Sequence, residues 1–470
     1  MLLCFWLFLI PPILCTDPGV KVRLTEKGLE YGRQLGVASI QQRLKTIKIP
    51  DISGKESVPP IGKVEYSLTN MQIFNVGLPT TAVDLVPGVG IRQSISKASI
   101  SLNGNWRVKY LRIIRDSGSF QLNVNDLAVT SSIAIRSDNT GRPEVSSVKC
   151  EATVGSATIK FHGGGSWLYN LFKNFIDKAL RSQMQKQICP LVADAVSDLN
   201  PHLKTLNVIA KVDQYAEIEY SMVSSPRVSK SYLDFSLKGE FYNIGKHEEP
   251  PFPPEAFLLP PQVNNMMYIG VSSFTANSAA FVYNKAGVIS LYVTDDMIPQ
   301  SSPLRLNTET FGKFIPQIAK TFPGLMMKLL VKTVKNPVIT FLPNNATVQA
   351  SGTVTAYAIQ RNATLTPLFI IKLETSVSAK VFVRDTRLAG AVTLNKMNLT
   401  LGTSYVGDFQ IRFLDSIFQM VLKVVVIPKL NAQLGKGYPL PALGQMKLVN
   451  TVLLVLKDYT LIGTDVQFTG

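Results

Sequence analysis

The stretch that decides the fold is WLYNLFKNFIDKALRSQMQKQICPLVADAVSDLNP, Trp167 to Pro201. Leu168, Leu171, Phe172, Phe175, Ile176, Ala179, Leu180, Met184 and Ile188 recur at three- and four-residue steps, while Lys173, Asn174, Asp177, Lys178, Arg181, Ser182 and Gln185 take the opposite side. That period predicts an amphipathic helix of about five or six turns. The pattern returns 238 residues later without a gap. Phe175-Ile176-Asp177 meets Phe413-Leu414-Asp415, Leu180 meets Phe418, Met184 meets Leu422, Cys189-Pro190 meets Ile427-Pro428 and Asn200-Pro201 meets Tyr438-Pro439. A second echo opens an amphipathic run at Arg23-Leu24-Thr25, reaching about Ile47, and another at Arg305-Leu306-Asn307, reaching about Leu330. Arg23 lies 167 positions before Pro190 and Arg305 only 123 before Pro428, so the first copy is longer by 44 residues in its middle. A tandem duplication with one enlarged copy is the reading.

Composition bounds what such a chain does. Its 470 residues suffice for two domains, and 46% hydrophobic with 17% charged residues supplies large cores. A formal net charge of +16 favours anionic partners: nucleic acid, an anionic membrane or a phosphorylated glycolipid. The excess is evenly divided. Residues 16–237 carry 27 Lys and Arg against 19 Asp and Glu, and residues 238–470 carry 21 against 13. Residues 1–17 begin with MLLCFWLFLIPPILC, a segment of signal-peptide length, so the mature protein is expected to be secreted, extracellular and soluble, with storage in granules one form of that. Removing the leader takes Cys4 and Cys15 with it and leaves Cys150 and Cys189, whose pairing is predicted in an oxidising compartment. Asn345, Asn362 and Asn398 each begin an N-x-T sequon for N-glycosylation.

From residue 64 to residue 161 apolar residues alternate with polar ones, as in Trp106, Val108 and Tyr110 or Phe120, Leu122 and Val124, which predicts an antiparallel meander. Asn103-Gly104 and Ser117-Gly118 read as hairpin turns within it. Strand-like text covers residues 208–237, 267–293 and 338–401, and the organising helical pattern ends each half. Six of the twelve residues in PPFPPEAFLLPP, residues 250–261, are proline, which suits a stiff extended connector. The organisation is therefore a leader at 1–17, a first lobe at 18–237, a linker at 238–262 and a second lobe at 263–470.

DPGVKVRLTEKGLEYG at Asp17 to Gly32, IKIPD at Ile47 to Asp51, KGEFY at Lys238 to Tyr242, DDMIP at Asp295 to Pro299 and KGYPLP at Lys436 to Pro441, in that order and with one cysteine pair, resemble the bactericidal/permeability-increasing protein and lipopolysaccharide-binding protein family. The likeness runs over essentially the whole mature chain. It implies an α+β molecule, elongated, two-lobed and pseudo-symmetric, each lobe a twisted antiparallel sheet or barrel wrapped on long helices, joined by a central sheet. It also implies phospholipid held in an apolar pocket of each lobe, and binding of the lipid A part of lipopolysaccharide by a basic tip of the first lobe. Partners implied are lipopolysaccharide, phospholipid, the Gram-negative outer membrane and a host receptor. The role implied is antibacterial innate immunity, with a plasma-type lipid-transfer carrier of the same fold as the alternative.

The residues support the tip on their own account. Arg92, Lys97, Arg107, Lys109, Arg112 and Arg115 fall in a stretch without any acid, with Trp106 and Tyr110 between them. Guanidinium forks match phosphate oxygens and aromatic rings suit the headgroup boundary. Lys63 matches a basic position of the family's tip, whereas Ser57 and Asn105 stand where further cations are common. Seven more cations, Lys313, Lys320, Lys328, Lys332, Lys335, Arg361 and Lys372, lie in an acid-free stretch of the second half and read mostly as a solvated helical face. The apolar helical faces read by pattern as ordinary core; only the resemblance implies a lipid cavity there, with Leu24, Leu29, Leu35, Phe172 and Phe175 as candidate lining. No catalytic signature is present: His162, His202 and His247 lack metal-ligand spacing, and no nucleophile elbow, phosphate loop or zinc-protease motif occurs. No metal, enzymatic cofactor or nucleic-acid partner is expected.

Overall fold

Alternating apolar and polar residues over residues 62–162 fold as very long antiparallel strands, because only a period of two puts every apolar side chain on one face. The computed structural model describes residues 17–46, 49–59, 62–110, 114–164, 166–441 and 446–469, without the side chains of 38–40, 43–44, 58, 166–177, 179–180 and 183. The apolar segment read as a leader falls, up to residue 16, outside the described residues.

Strand β1 (Val20–Thr25) and helix α1 (Glu26–Leu44) lead into β2 (Ile52–Val58), β3 (Gly62–Gly77), β4 (Thr80–Val86), β5 (Gly90–Tyr110), β6 (Ile114–Ser137) and β7 (Pro143–His162). These last six make one antiparallel sheet in the order β2-β3-β5-β6-β7, with β4 on β5. Asn70, Lys97 and Asp126 take positive φ at register breaks on three neighbouring strands, and such bulges increase the local twist that curls a sheet. The inner face buries Val64, Leu68, Leu102, Trp106, Phe120 and Leu122. Helix α2 (Ser166–Ser197) runs along β7, followed by α3 (Asn200–Lys204).

The chain then builds β8 (Ile209–Lys211), β9 (Ala216–Glu219), β10 (Arg227–Val228), β11 (Tyr232–Leu237), β12 (Glu240–Asn243), β13 (Met267–Ser272), α4 (Ser273–Lys285) and β14 (Ser290–Val293). The second lobe contains α5 (Thr308–Gly312), α6 (Pro316–Thr321), β15 (Met327–Thr333), β16 (Val338–Leu342), β17 (Asn345–Ile359), β18 (Leu365–Arg384) and β19 (Arg387–Ser404). It closes with α7 (Asp415–Val421), a π-helical turn (Leu422–Val426), α8 (Ile427–Leu434), β20 (Tyr438–Pro439), β21 (Met446–Val455) and β22 (Tyr459–Phe468). Its large sheet is β14-β15-β17-β18-β19-β20 with β16 on β17. Between the lobes lies a sheet drawn from both, β10-β11-β1-β13-β22-β21.

Several expectations change here. The organising helix is 32 residues long, with Pro190 inside it. Its second copy keeps a proline at the matching place, and the helix widens to a π turn just before Pro428, which lacks an N–H and crowds the carbonyl four residues back. Asn200-Pro201 opens a short helix, whereas Tyr438-Pro439 forms a two-residue strand paired with β19, so the repeat ends there. The run from Arg305 to Leu330 is no long helix: Pro316 starts α6 and Gly324, at φ +67°, turns the chain into β15. Text read as strands at 267–293 contains α4, capped by Ser272 Oγ, which accepts from Thr275 N. Its buried set, Phe274, Ser278, Phe281 and Val282, mixes small polar and aromatic residues and so hides its helical period.

The supposed turns at Asn103-Gly104 and Ser117-Gly118 lie inside β5 and β6. A Cβ on Gly104 would sit 2.5 Å from the Phe120 ring, and one on Gly118 would sit 2.8 Å from Trp106 Nε1. These glycines mark close approaches within strands. The proline-rich segment is not a free connector but a strap on the central sheet, with Phe257 and Leu259 packed with Tyr268, Tyr459 and Leu461. Lys21 Nζ donates to the Phe257 carbonyl at 2.6 Å and Tyr459 Oη to that of Leu258 at 2.9 Å.

Arg23, on β1, is 3% exposed. It donates to both carboxylate oxygens of Asp234 at 2.7 and 2.8 Å and to the Pro260 carbonyl at 2.7 Å, with its guanidinium 3.6 Å from the Tyr232 ring centroid. Removing one partner of a buried ion pair strands the other, so Arg23→Ala should cost about 3–5 kcal/mol in urea unfolding. Arg23→Met paired with Asp234→Leu should recover most of that loss; a single mutant as stable as the parent would show that the pair is dispensable.

Candidate functional site

The connection between β5 and β6 closes at the Tyr110 and Ile114 pair, so the free end of the first sheet carries the basic hairpin. Antiparallel register sets its chemistry. Lys55 on β2 faces Glu65 on β3, Glu65 faces Lys109 on β5, and Lys109 faces Arg115 on β6, which makes one row across four strands. In the next row Ser53, Ser67, Arg107 and Ser117 stand side by side. Lys63 lies two residues from Glu65 on the same face of β3, and it pairs with Ser57. Neighbouring strands are about 4.8 Å apart and alternate residues about 6.5–7 Å apart. Five cations, Lys55, Lys63, Arg107, Lys109 and Arg115, thus share one outer face.

One acid sits among them. Lys55 Nζ is 2.7 Å from Glu65 Oε1, and that hydrogen-bonded ammonium, with Lys109 beyond, holds the Glu65 carboxyl below the usual carboxylate range. Among the described residues Lys63, Arg107, Lys109 and Arg115 form no ion pair. Lys55 and Glu65 escaped the sequence reading because only strand register brings them to the hairpin.

The remaining predicted residues separate. Arg92 lies on the same strand as Arg107, but 15 residues of strand, up to about 50 Å along the chain at about 3.3 Å each, separate them. Its guanidinium is 3.1 Å from Asp84 on β4. Lys97 is exposed at a bulge, well back from the hairpin. Arg112 lies outside the described residues. Trp106 is a core residue, 3% exposed, because the pleat turns it inward where Arg107 turns outward. Its ring meets Phe161 edge to face at 5.6 Å, and Nε1 donates to the His162 carbonyl at 3.4 Å. Tyr110 is likewise buried. Among the described residues at this end, Ile114 is an exposed apolar side chain, 43% exposed.

Cys150 on β7 and Cys189 on α2 form a disulfide with a Cα–Cα distance of 5.6 Å. Closing 39 residues contributes about 4 kcal/mol on the loop-entropy model. Asn345, Asn362 and Asn398 are all exposed. Lys328 and Lys332 sit on β15 and Lys372 on β18, so this part of the second basic stretch occupies strands and not a helix. Of the assigned pocket residues, Leu24 is on β1, Leu24 and Leu29 are half-buried, and Leu35 is 42% exposed. The side chains of Phe172 and Phe175 lie outside the description. Among the described residues no group of three His, Cys, Asp or Glu could hold a metal ion, and no helix is long and apolar enough to cross a membrane.

Two coiled antiparallel sheets, each attended by helices and joined by a sheet that both halves share, define an α+β tandem protein with a basic surface at one end. Residues 28–201 match the N-terminal domain and residues 210–468 the C-terminal domain of the LBP / BPI / CETP family. The chain belongs to that family. It is 76% identical over 473 residues to the bactericidal permeability-increasing protein of Sebastes schlegelii, covering all of both chains. It is 30% identical over 469 residues to the lipopolysaccharide-binding protein of Homo sapiens, covering all of this chain and 97% of that one. A crystal structure of lipopolysaccharide binding protein superposes with a TM-score of 0.65 at 30% identity, over 97% of this chain and all of that one.

Burial makes Trp106 a stability residue. Trp106→Ala should cost about 3–5 kcal/mol in chemical denaturation, the range for a large aromatic removed from a core. A variant with parental stability would return Trp106 to the surface.

Proposed function

We propose that the protein is a secreted antibacterial protein that binds the lipid A part of lipopolysaccharide through the outer face of the β5–β6 hairpin end and holds phospholipid in apolar pockets. The observation that carries this is the shared face of Lys55, Lys63, Arg107, Lys109 and Arg115, held in register by four strands. Lipid A presents phosphates above a layer of acyl chains. Arginine offers paired donors to phosphate oxygens, lysine offers point charge, and Ile114, paired with Tyr110 on the other face of the same hairpin end, offers an exposed apolar edge. The names and coverage of the relatives support the same reading, and so does the Cys150–Cys189 bond, which suits an oxidising compartment.

Each cation near an anionic lipid surface contributes about 1 kcal/mol, so four together contribute enough for useful affinity where one does not. Replacing Lys63, Arg107, Lys109 and Arg115 by alanine should weaken binding to lipopolysaccharide-containing vesicles by about 4 kcal/mol in low salt. The gap should shrink in high salt, because exposed charges are screened. Ile114→Ser should weaken binding in a way that salt hardly changes. Parental binding by the quadruple variant, with loss instead on changing Lys328, Lys332 and Lys372, would move the site to the second lobe. Organic extraction of the natively purified protein should release up to about two phospholipids per chain, and extracts that stay empty would leave the inner faces as ordinary core.

A further inference from the structure

At the junction of the first lobe with the strap, Glu240 on β12 is 3% exposed and its Oε1 has no hydrogen-bond partner. A buried, ionised carboxylate oxygen in that condition is costly unless a proton or a cation reaches it. From β9, Glu219 stands directly opposite, and Glu217 is the next residue on that face. From β8, Lys211 pairs with Glu217. Tyr242 lies two residues along β12. Lys238, just before the strand, has its ammonium 3.7 Å from Glu240, 3.6 Å from Glu219 and 3.0 Å from Glu249. From the following loop come Glu249, which accepts from Tyr242 Oη at 3.1 Å, and His247, stacked on the Tyr242 ring at 3.5 Å with Nε2 3.5 Å from Glu219. Three carboxyls therefore share one ammonium, and one of them, Glu219, also faces an imidazole.

We propose that Glu240 and Glu249 share a single proton and form a latch that fastens the start of the strap to the first lobe, closing in mildly acidic conditions and loosening in mildly alkaline ones. The protonated Glu240 donates to the Glu249 carboxylate, which also receives Lys238 and Tyr242. Loss of that proton leaves adjacent carboxylates competing for Lys238. The strap follows at once: Glu249 precedes Pro250, and the carbonyls of Phe257, Leu258 and Pro260 are held farther along by Lys21, Tyr459 and Arg23. Loosening the latch frees the near end of a segment pinned at its far end.

The titration supports the direction. Burial, and then the neighbouring Glu249, push the Glu240 carboxyl from 4.5 up to about 7. Glu249 goes the other way: burial opposes its charge, but hydrogen bonds from Glu240, Lys238 and Tyr242 outweigh that and hold it below the usual range. A raised carboxyl contributes stability that is complete below its unfolded value and is lost as pH rises through about 7. A lowered one contributes above its unfolded value and fails as pH falls. Both contributions hold together between those limits, where one proton serves two carboxyls.

Hydrogen exchange at the backbone amides of Ile244, Lys246 and Glu248, which donate to Tyr215, Asn243 and Lys246, reads the latch in the full-length protein. With exchange corrected for its intrinsic pH dependence, the opening equilibrium should rise about tenfold from pH 6 to pH 8, the change expected for a group at 4.5 when open and about 7 when closed. Glu240→Gln, which stays neutral, should be flat over that range, and Glu249→Gln, which removes the acceptor charge while keeping the size, should shrink the step. No step in the parent, or the full step persisting in both variants, overturns the proposal. So does a step abolished by His247→Gln but untouched in Glu240→Gln, which would assign the response to the His247 and Glu219 pair.

Discussion

Strand β1 holds the molecule together because it has neighbours from both halves. Val20 pairs with Leu237 on one side and with Val271 on the other, so residues remote in sequence must meet before the central sheet exists. A charged guanidinium is then buried in the middle of that sheet. Arg23 is tolerated there because Asp234 supplies two acceptors, Pro260 a third and Tyr232 an aromatic face. The same contact fixes the strap, which turns a proline-rich segment into part of the packing. Lys27, 3.0 Å from Asp465 on the last strand, adds a second tie between the two ends of the chain.

The two lobes repeat devices as well as topology. Arg305 meets Asp295, whose other oxygen accepts from Leu306 N at 2.7 Å, as Arg23 meets Asp234 in the first half. Each lobe also seals the edge of its large sheet with an asparagine amide used as a short stretch of strand. Asn200 accepts from Val145 N at 2.8 Å and donates to its carbonyl at 2.9 Å, and Asn431 does the same for Val392 at 2.7 and 3.0 Å. An edge strand presents unpaired backbone groups, and a side-chain amide satisfies one residue's donor and acceptor together. The disulfide from β7 to α2 reinforces that edge in the first lobe.

The basic end of the first lobe follows from the same pleat that makes its core. Turning Trp106 and Val108 inward turns Arg107 and Lys109 outward, and a one-residue slip would exchange the two sets. Register is held against such a slip by close approaches that only glycine permits, Gly104 under Phe120 and Gly118 beside the Trp106 indole. Charge at this end is thus set by core packing one residue away.

Period and punctuation in the chain alone determined the tandem plan, the meander, the long helix with Pro190 and its partner helix with Pro428, because these depend on neighbours within a few residues. The cysteine count pointed to the disulfide once residues 1–17, read as a leader, were set aside. Tertiary structure decided the rest. Lys55 and Glu65 join the basic row through cross-strand register, Arg92 leaves it because fifteen residues of a bulged strand separate it from Arg107, and Trp106 goes inward because the sheet has an inside. Gly104 and Gly118 resemble turn glycines until Phe120 and Trp106 are seen pressed against them. The physical reason is common to all: a side chain's local spacing sets which face it occupies, but what covers that face, and what stands beside it, comes from strands and helices distant in sequence.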